Sequence, residues 1–196
     1  MIKTGITGNI GSGKTTVSRI FEVLGTPVFY ADDAAKYLMQ KDVLLIAGIK
    51  SLLGDEAYID GLLNRSFVST QVFNNPVKLA ALNALVHPAV FNYSMQWFDS
   101  QKHLPYALKE ASLIFETGGE KWLDKVILVT APEEVRIARV MKRDGMSRAK
   151  VVERINNQWT QEEKEKKADF IIQNYDAHSL IKQALAIHKQ LIELDQ

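Results

Sequence analysis

Gly8-Asn9-Ile10-Gly11-Ser12-Gly13-Lys14-Thr15-Thr16 is the stretch on which the fold turns. Gly8 to Thr15 satisfies the spacing GxxxxGK[ST] in full. Residues 2–7 before it read as a strand. Residues 14–24 after it read as a helix with Val17, Ile20, Phe21 and Leu24 on one face. Glycines let main-chain N–H groups turn inward around an anion without side-chain clashes, and the helix start adds its positive dipole end. Lys14 then reaches β- and γ-phosphates, and the Thr15 hydroxyl holds Mg²⁺. A glycine-rich turn that binds nothing is the alternative, and the complete pattern in this context speaks against it.

Outward from the loop, short apolar runs alternate with amphipathic ones. Residues 26–30, 106–111, 126–130 and 170–173 read as further strands, giving five in all. Helices are expected over 32–39, 44–53, 66–73, 77–85, 89–101, 133–143, 147–157 and 179–194. Asn75-Pro76 and His87-Pro88 punctuate the middle group, Pro132 opens the helix at 133, and Ser147 stands at an N-cap position. Strands separated by helices imply a parallel α/β sheet, with ligands beyond the carboxyl ends of the strands.

The 196 residues are 46% hydrophobic, enough for a real core, and carry a net charge of +1. That balance argues against a dedicated nucleic-acid binder. With no cysteine, disulfides, thiolate metal sites and a cysteine nucleophile are excluded. No signal peptide and no apolar run of about 20 residues is visible, so a cytoplasmic protein off the membrane is expected.

A phosphate loop alone does not separate a kinase from a GTPase or a motor. There is no NKxD-type guanine motif, and Leu113-Ile114-Phe115-Glu116 offers only a single acid where a Walker B strand would end. Asp32 and Asp33 follow the second strand. They could orient an acceptor hydroxyl, take its proton or hold a metal-bound water, or they could cap and complement the next helix, and both readings can hold. Arg136, Arg139, Lys142, Arg143, Arg148, Lys150 and Arg154 form a basic cluster, either a hairpin closing over ATP or a solvated face.

GNIGSGKT, YADDAAK, LNALVHP, LIFE, RVMKRDGMSR, RINNQ and ADFIIQN, in this order, resemble the dephospho-coenzyme A (dephospho-CoA) kinases over essentially the whole chain. The resemblance implies a P-loop kinase core (1–31, 104–137, 168–196), a helical acceptor-binding insertion (32–103) and a small helical lid (138–167). It implies transfer of the ATP γ-phosphoryl group to the ribose 3′-hydroxyl of dephospho-CoA, with Mg²⁺. The nearest alternative is a nucleoside or nucleoside monophosphate kinase of the same fold; a nucleotide-binding regulatory module is the non-enzymatic one.

Residue by residue, the resemblance implies that Gly8, Asn9, Ile10, Gly11, Ser12, Gly13, Lys14, Thr15 and Thr16 bind ATP, with Thr15 on the metal. Asp32 matches the acceptor-activating acid, Tyr30 standing where a further acid is usual. Arg139, Arg143 and Arg148 match lid arginines, Arg143 being assigned to catalysis with Lys14 and Asp32. Arg65, Asn83, His87 and Glu116 match acceptor-side positions. On the residues alone, Arg65 also reads as a surface residue, His87 as a buried histidine ending a helix, and Glu116 as a backbone-binding group. Gln158 and Asn174 match a structural or nucleotide-proximal pair. Ser112 replaces a usual proline, and Trp97, Trp122 and Trp159 read as packing residues. The expected partners are ATP and dephospho-CoA, with no nucleic acid or membrane, and the chain a monomer or weak homo-oligomer.

Overall fold

The computed structural model describes residues 1–73, 75–176 and 178–195. In chain order they form β1 (Ile2–Thr7), α1 (Lys14–Val23), β2 (Val28–Tyr30), α2 (Ala31–Lys41), α3 (Val43–Leu53), β3 (Tyr58–Ile59), β4 (Leu62–Leu63), α4 (Arg65–Phe73) and α5 (Pro76–Ser100). They continue with β5 (Tyr106–Glu110), β6 (Lys125–Thr130), α6 (Glu133–Asp144), α7 (Arg148–Asn156), α8 (Gln161–Glu165), β7 (Phe170–Gln173) and α9 (Leu180–Glu193). Two compact units result: residues 1–29 with 98–196, and residues 30–97.

The first unit is built on the expected five-stranded sheet, in the order β2-β5-β1-β6-β7. β1 pairs in parallel with β5 and β6, and β6 with β7. The run Val126-Ile127-Leu128-Val129 is buried throughout, as a parallel strand covered on both faces must be. On one face Ile6, Leu108, Ile127, Val129 and Ile172 join Val17 and Phe21 of α1 and Ala184, Ile187 and Leu191 of α9. Val126, Ile114 and Phe115 form a separate cluster, against which Leu123 and Trp159 pack. Ile137 and Val140 of α6 meet Val151 and Ile155 of α7 in a third, which Ile10 joins. Central β1 thus delivers its carboxyl end, and the glycine loop behind it, to the usual ligand position of such sheets.

The second unit is helical, as expected of the insertion, with differences in detail. Residues 76–100 form one helix and are not divided at His87-Pro88. Proline removes one intrahelical hydrogen bond, but Leu82, Val86, Val90 and Ser94 are all buried at four-residue spacing through it. Burial of that stripe carries the helix across the defect. Asn75 Oδ1 caps α5 by accepting the Lys78 N–H at 3.0 Å, with Pro76 at the first helical position. A β3–β4 hairpin, absent from the sequence reading, turns through Asp60 and Gly61, both at positive φ. The N-cap of α2 is Tyr30, so Asp32 is not the cap; it and Asp33 occupy the first turn, where the dipole favours acids. Tyr37 of α2 stacks on Tyr93 of α5, centroids 6.0 Å apart.

Two more departures lie in the first unit. Ser147 holds the N-cap position of α7 but makes no side-chain cap. The short α8 was not anticipated; Thr160 and Glu163 close a reciprocal capping box at its start. Among the described residues, no helix is long and apolar enough to cross a membrane.

Candidate active site

The glycine loop leaves β1 at Gly8 and enters α1 at Lys14. Gly13 sits at φ 92°, and a Cβ there would strike the Asn174 side-chain amide. Gly11 sits at φ 80° with the Arg136 backbone where its Cβ would go. Glycine is therefore required at both positions by conformation and by space. Ser12 N–H donates to the Asn9 carbonyl at 3.0 Å, and Lys14 Nζ donates to the Gly8 carbonyl at 3.0 Å. Thr15 and Thr16 are exposed in the first turn of α1. That first turn contains no acid of its own, which leaves the helix's positive end to an incoming anion.

The loop is held from outside by residues far along the chain. Gln158 Oε1 accepts the Ile10 N–H at 2.8 Å, and the Trp159 carbonyl accepts from Asn9 Nδ2 at 2.8 Å. Asn174 Nδ2 donates to the Ser12 carbonyl at 2.7 Å. Arg139 Nη2 donates to the Asn174 carbonyl at 3.0 Å, and its Nη1 to the Gly11 carbonyl at 3.5 Å. Sequence reasoning matched Gln158 and Asn174 as a pair; the structure ties both to the loop. Asn9 Oδ1 and Ser12 Oγ are buried without a hydrogen-bond partner among the described residues.

The arginines of the basic cluster part company. Arg136 belongs to no solvated face: it is 4% exposed, donates from Nε to the Ala131 carbonyl at 3.1 Å, and burial lowers its pKa. Arg143 is exposed and grips its neighbour Asp144 bidentately at 2.7 and 2.9 Å, which raises its own pKa and holds the carboxyl below the usual range. Arg148 grips Glu134 of α6 at 2.6 and 2.7 Å.

Glu116 is committed to its surroundings. Its Oε1 accepts from Lys164 Nζ at 2.7 Å and from the Trp159 N–H at 3.1 Å. Lys164 is fully buried and also donates to the Ser112 carbonyl at 3.5 Å. The sequence reading passed over Lys164, because a lysine in QEEKEKK looks like part of a charged surface. Trp159 packs as expected, with Lys167 Nζ 5.4 Å over its ring.

In the second unit Asp32 is exposed on α2, Arg65 exposed at the start of α4, and Asn83 and His87 one turn apart on α5. His87 is exposed and mid-helical, neither buried nor terminal. None of the four has a hydrogen-bond or ion-pair partner among the described residues. Asp33, by contrast, pairs with Lys36 at 2.7 Å.

For Mg²⁺, the donor set suits a metal carried by a nucleotide. Thr15 offers an exposed hydroxyl at the loop's end, and among the described residues no group of three His, Cys, Asp or Glu forms a protein cage. Magnesium in phosphate sites takes few protein ligands and keeps waters and phosphate oxygens.

A family profile described as Dephospho-CoA kinase matches residues 2–179. The dephospho-CoA kinase of Salinibacter ruber is 40% identical over 181 residues, covering 89% of each chain. That of Bacteroides fragilis is 34% identical over 186 residues, covering 95% of this chain and 91% of its own. The solved dephospho-CoA kinase from Campylobacter jejuni superposes with a TM-score of 0.74 at 26% identity, covering 99% and 98% of the two chains.

Proposed function

The chain belongs to the dephospho-CoA kinase family, and from that premise we propose how its own residues carry out the reaction. The reaction is ATP-dependent phosphorylation of the ribose 3′-hydroxyl of dephospho-CoA, the last step of coenzyme A synthesis. The observation that carries the residue assignment is the complete phosphate loop at the carboxyl end of central β1, held by Gln158, Asn174 and Arg139.

Phosphoryl transfer asks the protein for in-line placement and for charge on the equatorial oxygens. Within residues 8–16, the main-chain N–H groups other than those of Ile10, Ser12 and Thr16, which donate inside the chain, grip the ATP phosphates, and Lys14 exchanges the Gly8 carbonyl for a β- or γ-oxygen. The Thr15 hydroxyl holds Mg²⁺, which when bound neutralises phosphate charge. Arg139 already borders the loop. Arg143 and Arg148 exchange Asp144 and Glu134 for phosphate oxygens, the same bidentate chemistry with a different anion. This treats residues 138–167 as a lid and 32–103 as the acceptor subdomain.

Asp32 aligns the 3′-hydroxyl and takes its proton. Its exposure, its freedom from partners and its position two residues beyond β2 support this role. Arg65, Asn83 and His87 hold the acceptor, their unpaired polar groups being available to it. Glu116 stands apart, since its Oε1 is already taken. The same reading takes the protein as cytoplasmic, monomeric or weakly self-associating, and without a nucleic-acid partner, in keeping with its balanced charge.

The test is ADP release from ATP, Mg²⁺ and dephospho-CoA by purified protein, with the product mass measured. Expected is one added phosphate, at the 3′ position. Turnover of a nucleoside monophosphate with none of dephospho-CoA would overturn the reading.

A further inference from the structure

Lys164 is the one fully buried lysine among the described residues. A buried ammonium is costly unless paired and hydrogen-bonded, so its position calls for a reason. Its partner Glu116 uses the same Oε1 to hold the Trp159 N–H. The carbonyl of Trp159 in turn holds the Asn9 side chain, and the preceding Gln158 holds the Ile10 N–H. A continuous polar chain therefore runs from Lys164 through Glu116 and the 158–159 backbone to two consecutive residues of the glycine loop. The Trp159 ring, packed against the Ile114–Phe115–Val126 cluster, keeps the relay segment from swinging away.

We propose that Glu116 and Lys164 are positioning residues for ATP: their ion pair fixes the Gln158-Trp159 segment, which sets the Asn9 and Ile10 groups of the phosphate loop. The inference rests on the loop being the ATP phosphate site, and it assigns Glu116 to the nucleotide side of the reaction, not the acceptor side. Neither residue touches substrate in this role; both act through Trp159.

Breaking the pair by changing one partner leaves a buried unpaired group and endangers the fold. The test therefore compares two double variants, each of which removes both charges. Glu116→Gln with Lys164→Met keeps an acceptor for the Trp159 N–H; Glu116→Leu with Lys164→Met does not. Binding of ADP is measured by calorimetry, with KM for ATP and for dephospho-CoA from steady-state turnover and folding checked by circular dichroism.

The expected result is ADP binding about tenfold weaker in the leucine pair than in the glutamine pair, the scale of one well-placed hydrogen bond. KM for ATP should rise in parallel while KM for dephospho-CoA stays within about twofold. Equal ADP affinity in the two variants, or a change confined to the dephospho-CoA KM, would overturn the proposal. Should the leucine pair not fold, the comparison moves to Asn9→Ala, alone and with the glutamine pair. ADP affinities that multiply independently there count against it, and losses that overlap support it. Failure of the wild-type protein to bind ADP at all would instead sink the underlying assignment of the loop.

Discussion

Lys14 Nζ lies 3.0 Å from the carbonyl oxygen of Gly8, so the cation that opens α1 rests on the residue that follows β1. The contact bridges the two ends of the loop. A phosphate oxygen is a stronger partner than a neutral carbonyl for the same donor, because charge-assisted hydrogen bonds are roughly twice as strong.

Lys14→Met should therefore lower both nucleotide affinity and turnover, with kcat/KM for ATP down by about 10²-fold or more, the scale of losing one transition-state charge contact. ADP-release kinetics and calorimetric ADP binding check it. Unchanged values in both would remove the loop from the reaction.

Asp32→Asn should reduce kcat by at least about 10²-fold, the usual contribution of a positioned general base. ADP affinity and thermal stability should stay near wild type, because Asp32 is exposed and has no partner among the described residues. Near-normal turnover in a stable variant would move the proton acceptor elsewhere.

The dependence of stability on pH should show His188 and Tyr106. The Tyr106 hydroxyl meets His188 Nδ1 at 2.7 Å, with Tyr106 almost wholly buried. Burial lowers the His188 pKa from its ordinary 6.5 and pushes that of Tyr106 up to about 12. A lowered folded pKa means the unfolded chain binds the proton first. Stability is then full above about pH 6.5 and falls as pH drops through the folded value. For Tyr106 the sign reverses at the alkaline end, with stability lost as pH climbs from about 10 to 12. His188→Gln retains a partner for the tyrosine but cannot titrate. Melting temperatures taken from pH 7.5 to 5 should fall less in this variant than in wild type.

Pro88→Ala should stabilise the chain, by up to about 3 kcal/mol, because an alanine restores the N–H that a helix interior wants. Denaturant unfolding followed by circular dichroism reads it. A loss of stability would mean that the proline's fixed φ is needed within α5.

Where the sequence is regular it was legible. β1 and β7 fall at the expected residues, since a phosphate loop or a strong apolar run leaves little choice of register. The hairpin at Tyr58–Ile59 and Leu62–Leu63 escaped because two-residue strands show no periodicity, although Asp60-Gly61 is a hairpin turn signal. The helix break expected at His87-Pro88 failed because burial at 82, 86, 90 and 94 outweighs one missing hydrogen bond. In the candidate site the loop was readable from its spacing. Of its supports, Gln158 and Asn174 were marked only by the resemblance, as a structural or nucleotide-proximal pair, and Trp159 only as a packing residue; the residues alone could not tie them to the loop, because the contacts reach about 150 residues along the sequence. Lys164 left no signal, since a buried lysine and a solvated one look alike inside a charge run.

The long separation between the loop and its supports also bears on synthesis. β1 and the glycine turn leave the ribosome well before both neighbours of β1 in the sheet, which begin after residue 105. At about 5–20 residues per second, the opening segment waits roughly 5–20 s for its first strand partner. Asn174 arrives later still, so a nascent chain is expected to retain nucleotide only once residue 174 has been made. Ligand capture thus doubles as a readout of completed folding, and a ribosome stalled before residue 158 should carry a polypeptide with the motif intact and no grip on ATP.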